Sequence, residues 1–141
     1  MVDHLLQGCL YFTANSLARS LTSIAEEEFK KTGFAPNYAF IIMLVCEKPG
    51  MMQKEIGEYL QLTPSTITRF VDKLERKNMV ARKGEGKAVF LEATEEGRAM
   101  LPEIQSAWER LYHRYSKVLG YEEGDALTKQ LWQATLQLEH K

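Results

Sequence analysis

The chain has 141 residues, of which 45% are hydrophobic and 26% charged, with a formal net charge of −1. That length suits one domain with a real core, and the balance is that of an ordinary soluble globular protein rather than a disordered or fibrous one. No apolar run approaches a bilayer span, the start Met-Val-Asp-His lacks the basic region of a secretory signal, and Cys9 and Cys46 alone do not suggest an extracellular disulfide scaffold, so the cytoplasm is the expected compartment.

From Asp3 to about Lys31, an apolar stripe of Leu5, Cys9, Phe12, Leu17, Leu21 and Ile24 predicts a long helix that Gly33 ends. After Ala35-Pro36, the run Tyr38 to Cys46 is apolar almost all round, which predicts a buried helix closed by Pro49-Gly50. Met52 to Leu60 reads as a short helix with Ile56 and Leu60 on one face, and residues 61–63 make a tight connection to the next.

The segment from Thr63 to Asn78 carries the most information. Thr63 is a good N-cap and Pro64 suits the first helical position, where no N–H is needed. Ile67, Val71 and Leu74, with Phe70 beside them, form an apolar stripe, while Ser65, Arg69, Asp72 and Arg76 fall opposite with Lys73 at the edge. Asn78 tolerates the left-handed conformation that stops a helix. Taken alone this is an amphipathic surface helix, but its neighbours add meaning. A short helix before it makes a helix-turn-helix. Val80 to Lys83 and Lys87 to Leu91, around Gly84-Glu85-Gly86, predict a β-hairpin bearing Arg82, Lys83 and Lys87. Residues 51–90 hold eight Lys or Arg against five acids, a local +3, whereas residues 1–50 and 91–141 are at −1 and −3. The basic excess thus coincides with the unit that suits a DNA groove.

Thr94 caps a long helix that begins Glu-Glu, where acids favour the positive end of the dipole. Within it Leu101, Ile104, Trp108, Leu111, Tyr115 and Val118 follow a heptad seam. Pro102 falls early enough to kink it, and Gly120 stops it. A last helix, from about Glu122 to Glu139, places Leu127, Leu131, Ala134 and Leu138 on one side. The expected fold is mainly α with a small β-wing: about six helices and a two- to three-stranded antiparallel hairpin. Helices at both ends of the sequence are expected to form a dimer, since symmetric operators are read by two-fold pairs.

The chain resembles the MarR-type (multiple antibiotic resistance regulator) transcriptional regulators. The matching residues are Gln53 to Leu62, Thr63-Pro64-Ser65-Thr66-Ile67-Thr68-Arg69, Val71-Asp72-Lys73-Leu74-Glu75, Met79-Val80, Arg82 and Thr94-Glu95-Glu96-Gly97. The resemblance implies a single domain over residues 1–141, with the winged helix-turn-helix at about 36–93 and dimerisation helices at about 1–32 and 94–141. It also implies a sequence-specific regulator of double-stranded DNA, a repressor acting as a homodimer on a pseudo-palindromic operator and released by a small aromatic or anionic effector. It implies a DNA-binding set of Gln53, Lys54, Thr63, Ser65, Thr66, Thr68, Arg69, Lys73, Arg82, Lys83 and Lys87. In that set Ser65, Thr66, Thr68 and Arg69 are candidates for base edges and nearby phosphates, Gln53, Lys54 and Lys73 for phosphate, and the last three serve the wing. Tyr11, Phe12, Phe34 and Tyr38, with Phe40, are candidates to line an effector cleft, although aromatics at helical spacing are more often core.

Two departures from the family pattern bear on the wing. The Asp-x-Arg of the wing is replaced by Glu85 and Lys87, and lysine is a point charge rather than a planar fork. The segment from Arg82 to Glu85 is also short. Cys9 loosely resembles the sensing cysteine of oxidant-responsive relatives, but Ala35 stands where they carry a tyrosine, and the stripe position predicts an inert buried thiol. The histidines His4, His113 and His140 are scattered without metal-site spacing, and no cofactor is expected. No nucleophile–base constellation or phosphate loop suggests an enzyme. The rival readings are a thiol-based regulator using Cys9 and a winged-helix protein–protein module.

Overall fold

A computed structural model describes residues 2–84, 86 and 88–139. Among them are eight α-helices and three strands: α1 (Val2–Gln7), α2 (Leu10–Phe29), α3 (Pro36–Glu47), β1 (Met51–Met52), α4 (Gln53–Tyr59), α5 (Pro64–Arg76), β2 (Val80–Lys83), β3 (Phe90–Ala93), α6 (Glu95–Ala99), α7 (Leu101–Leu119) and α8 (Tyr121–Glu139). The chain divides into two compact units, residues 25–107 and residues 1–24 with 108–141.

The unit of residues 25–107 is built on α3. As its near-continuous apolar run predicts, Ala39, Ile41, Ile42 and Val45 are all buried. Ile56 from α4, Ile67, Val71 and Leu74 from α5, and Val80 and Leu91 from the sheet complete the core with Phe29 and Ile104. The strands run in the order β1-β3-β2, all antiparallel. β2 and β3 pair from Val80↔Ala93 to Lys83↔Phe90. The second strand begins at Phe90; Ala88 and Val89 are outside it, and the expected start at Lys87 lies outside the described residues. The Val89 carbonyl accepts the Gln53 N–H at 2.9 Å and Met52 pairs with Phe90, so this strand is held between β1 and β2. Gly84, at φ +92°, lies where a Cβ would meet the Ala88 carbonyl oxygen at 2.1 Å, so the wing crosses itself closely there.

In the unit of residues 1–24 and 108–141, Gly120 at φ +97° turns α7 into α8. An apolar cavity of about 330 Å³ is lined by Leu17 and Leu21 of α2, Leu119 of α7 and Leu127, Leu131 and Trp132 of α8. Of fourteen exposed large hydrophobics among the described residues, twelve belong to this unit, including Leu5, Tyr11 and Val118 at about four-fifths exposure (78%, 80% and 82%). Tyr112 of α7 donates to Asp125 of α8 at 3.1 Å, and His113 Nδ1 lies 2.8 Å from the Tyr121 hydroxyl. The Asp125 bond, aided by partial desolvation, pushes the Tyr112 phenol above its ordinary value; desolvation does the same to Tyr115.

Eight helices replace the expected six because two long helices are each broken. The first breaks at Gly8-Cys9, where Gly8 and Cys9 donate back to the carbonyls of His4 and Leu6. The other breaks at Met100, two residues before Pro102, which has no N–H to continue the ladder. Along the heptad seam Ile104 is buried and Leu111 and Tyr115 are half-buried, whereas Val118 is exposed.

Candidate nucleic-acid interface

The turn from α4 to α5 is compact. Gln61 takes a positive φ of 57°, and the Leu62 N–H donates to the Gly57 carbonyl at 2.8 Å. A Cβ at Gly57 would lie 3.3 Å from Ile67 Cγ2, so α4 and α5 approach closely there. Thr63 caps α5 as expected: its hydroxyl accepts the Thr66 N–H at 3.3 Å and donates to Thr66 Oγ1 at 2.8 Å. Ile67, Val71 and Leu74 face inward, and Phe70 stacks on Tyr38 of α3 with ring centroids 4.3 Å apart. At the far end Asn78 takes φ +60°, so the helix stops where the sequence places its stop.

The outward face of α5 carries Ser65, Arg69, Lys73 and Arg76, all exposed. Lys73 Nζ lies over the Tyr38 ring, 4.9 Å from its centroid, and Lys77 Nζ over the Phe34 ring at 5.3 Å. Both ammonium groups are held beside an aromatic face while their donors stay in water. Lys54 on α4 and Lys83 at the end of β2 are exposed, whereas Lys87 and Glu85, the altered pair of the wing, lie outside the described residues.

Three of the expected DNA contacts turn toward one another. Arg82 Nε donates to Gln53 Oε1 at 3.0 Å, and Gln53 Nε2 donates to Thr68 Oγ1 at 3.3 Å. Arg82 also forms ion pairs with Asp72 (2.8 Å) and Glu75 (2.9 Å). The sequence reading missed these two acids as partners. Their spacing, three apart on the helix next to a strand arginine, was the available signal. Beside this group a cavity of about 570 Å³ is lined by Gln53, Lys54, Glu58, Pro64, Thr68 and Val89, among others.

The model of the MarR family matches residues 36–84, from the first turn of α3 to the wing. The transcriptional repressor MdtR of Bacillus subtilis is 29% identical over 100 residues, covering 69% of this chain and 64% of that protein. The solved structure of the transcriptional repressor CouR bound to p-coumaroyl-CoA superposes with a TM-score of 0.85 at 21% identity, covering 92% of this chain and 94% of that one. CouR bound to a 23-mer DNA duplex gives 0.84, with the same identity and coverage. The likeness to the MarR family therefore rests on residues 36–84 and on these similar repressors. Its mainly helical fold with a three-stranded sheet is the winged-helix fold shared with these repressor structures and with a MarR-family regulator from Rhodococcus, which superposes with a TM-score of 0.76 at 24% identity, covering 94% of each chain.

The MarR match covers the helix-turn-helix and ends at the wing's first glycine, so Lys87, β3 and the C-terminal helices lie beyond it. The aromatic candidates fall in both units. Tyr11 is exposed and Phe12 half-buried in one, whereas in the other Phe34 is buried and Tyr38 half-buried, each facing a lysine. Phe40 meets Phe29 edge-on at 5.8 Å, a core contact. None of these five lines either cavity described above.

Cys9 needs a correction. It was expected to be buried on the apolar stripe, but the helix breaks there and leaves it exposed. Cys46 is half-buried, and desolvation pushes its thiol up against the opposing pull of Arg98. Among the described residues no cluster of His, Cys, Asp and Glu is placed to hold a metal, and no helix is long and apolar enough to cross a membrane.

Proposed function

We propose that this chain is a cytoplasmic repressor that binds a pseudo-palindromic operator as a homodimer and leaves it when a small effector binds. The observation that carries the reading is the outward face of α5. It is a capped helix, anchored by three buried aliphatics, with Arg69, Lys73 and Arg76 facing solvent and a basic strand beside it. Such a helix fits the major groove, and the strand reaches the neighbouring phosphates.

Arg69 is the base reader: exposed, and unpaired with any described residue. Its planar fork suits guanine O6 and N7. Ser65 and Thr66 face the neighbouring base edges, and Lys54, Lys73, Lys83 and Lys87 serve phosphate. Thr63 caps the helix. The exposed apolar residues of the terminal helices support dimerisation, because a monomer rarely leaves Leu5, Tyr11, Val118 and Trp132 in water together. For the effector, CouR bound to p-coumaroyl-CoA supports an aromatic, anionic class, with Tyr11, Phe12, Phe34 and Tyr38 as candidate contacts.

Selection of bound sites from random duplex DNA tests the reading. A palindrome with half-sites about 34–36 Å apart is expected. Its binding should weaken steeply with salt. A chain that selects nothing, or binds without salt dependence, is a protein–protein module instead. The exposure of Cys9 favours a second reading, an oxidant-sensing regulator. Operator binding before and after peroxide, with Cys9→Ser as control, decides between effector and oxidant release.

A further inference from the structure

Arg82 belongs to the wing strand β2, yet its guanidinium turns back onto the helices. Nε donates to Gln53 Oε1 at 3.0 Å, Nη1 to Asp72 at 2.8 Å and Glu75 at 2.9 Å, and Nη2 to the Thr68 carbonyl at 3.2 Å. The Arg82 backbone N–H also donates to the second Glu75 oxygen at 3.1 Å. Gln53 ties the other end by donating to the Thr68 hydroxyl, whose own proton goes to the Pro64 carbonyl at 2.8 Å. Every guanidinium nitrogen therefore has a protein acceptor, and the hydroxyl of Thr68 is committed within the protein.

This arrangement joins the first residue of α4, the middle of α5 and the wing strand through one rigid, planar group. A protein that puts α5 in the major groove and its wing on adjacent phosphates must hold a fixed angle between them. We infer that Arg82, with Gln53, Thr68, Asp72 and Glu75, is the positioning unit that sets this angle, and that Arg82 is not a phosphate contact. The inference rests on the DNA-binding reading above. It also accounts for two acids on a helix offered to a polyanion: Asp72 and Glu75 hold Arg82.

The double variant Asp72→Asn/Glu75→Gln gives a test of sign. It removes two negative charges from the DNA-facing unit, which by electrostatics alone tightens binding. The positioning role predicts the reverse. Operator affinity falls about tenfold, equivalent to about 1.4 kcal/mol. Hydroxyl-radical protection by the wing is lost, while the bases under α5 stay protected. Lys83→Ala weakens the parent but has no further effect in the double variant, because the wing is already displaced. Arg82→Lys keeps a charge but not the fork, and produces the same loss; it is read in place of the double variant if that one melts early.

Equal or tighter binding by these variants, or an undiminished effect of Lys83→Ala, overturns the inference. Hydrogen exchange in the free protein separates its failure from that of the parent reading. If the parent binds no DNA, the regulator reading falls. The lock itself still requires faster exchange at residues 80–83 in both variants, and unchanged exchange refutes it.

Discussion

Gly97→Ala probes how the end of the reading helix is anchored. Gly97 is buried in α6, and a Cβ there would lie 2.1 Å from the Met79 carbonyl oxygen and 3.1 Å from its carbon. Both are backbone atoms, so no side chain can swing away, and α6 or the turn at Asn78-Met79 must move by about 1 Å to regain ordinary contact. That turn follows α5 directly, and Thr94 holds it. The Thr94 hydroxyl reaches the Asn78 carbonyl at 2.6 Å and the Met79 carbonyl at 3.1 Å, and the Thr94 N–H donates to Met79 at 3.1 Å. A retreat of that size breaks the two bonds to Met79, at about 0.5–1.5 kcal/mol each. Alanine's better helix propensity returns at most about 1 kcal/mol. With some residual overpacking strain the net is a loss of about 2 kcal/mol. At about 4 °C per kcal/mol for a chain of this size, Tm falls by about 8 °C.

The matched control is Gly124→Ala. Gly124 is also buried in a helix, but the nearest atom to its Cβ position is Ser116 Oγ at 4.0 Å. Alanine fits there and restricts the unfolded chain, so a gain of about 0.4–1 kcal/mol is expected. Thermal unfolding followed by circular dichroism reads both variants. If Gly97→Ala melts at or above the parent, or if the two glycines respond alike, the close approach at Met79 is not what holds the turn.

Three further outcomes follow from the same geometry. Thr63→Ala removes the cap of α5 and should lower stability by about 1 kcal/mol in chemical denaturation, with Thr63→Ser close to the parent; equal midpoints for all three would mean the cap contributes nothing. Asp125→Asn should bring the Tyr112 phenol back toward its ordinary value near 10.0, read by tyrosinate absorbance. Because the folded value is raised, this bond stabilises the fold below pH 10.0 and is lost as pH climbs through the folded value, so a variant with an unchanged titration would remove Asp125 as the cause. A disulfide reagent should label Cys9 in a fast phase that Cys9→Ser abolishes, with the desolvated Cys46 lagging; a single slow phase would place Cys9 under cover in solution.

What the sequence made legible was local. The cap at Thr63-Pro64, the stripe Ile67, Val71 and Leu74, and the stop at Asn78 depend on residues within a few positions of one another, and all three stand as expected. What it hid depends on distant partners. The wing's second strand also pairs with β1, where Met52, nearly forty positions away, faces Phe90. Arg82 was expected to serve the wing, and its bond to Gln53, which spans 29 positions, was not visible in the chain. Periodicity likewise ran through Gly8-Cys9, where the first helix is broken, whereas Pro102 had already marked the kink that falls at Met100. The same limit explains Val118. A heptad seam records that a helix face is apolar but not which surface covers it. Val118, exposed on that seam, is the kind of residue that the proposed homodimer would cover.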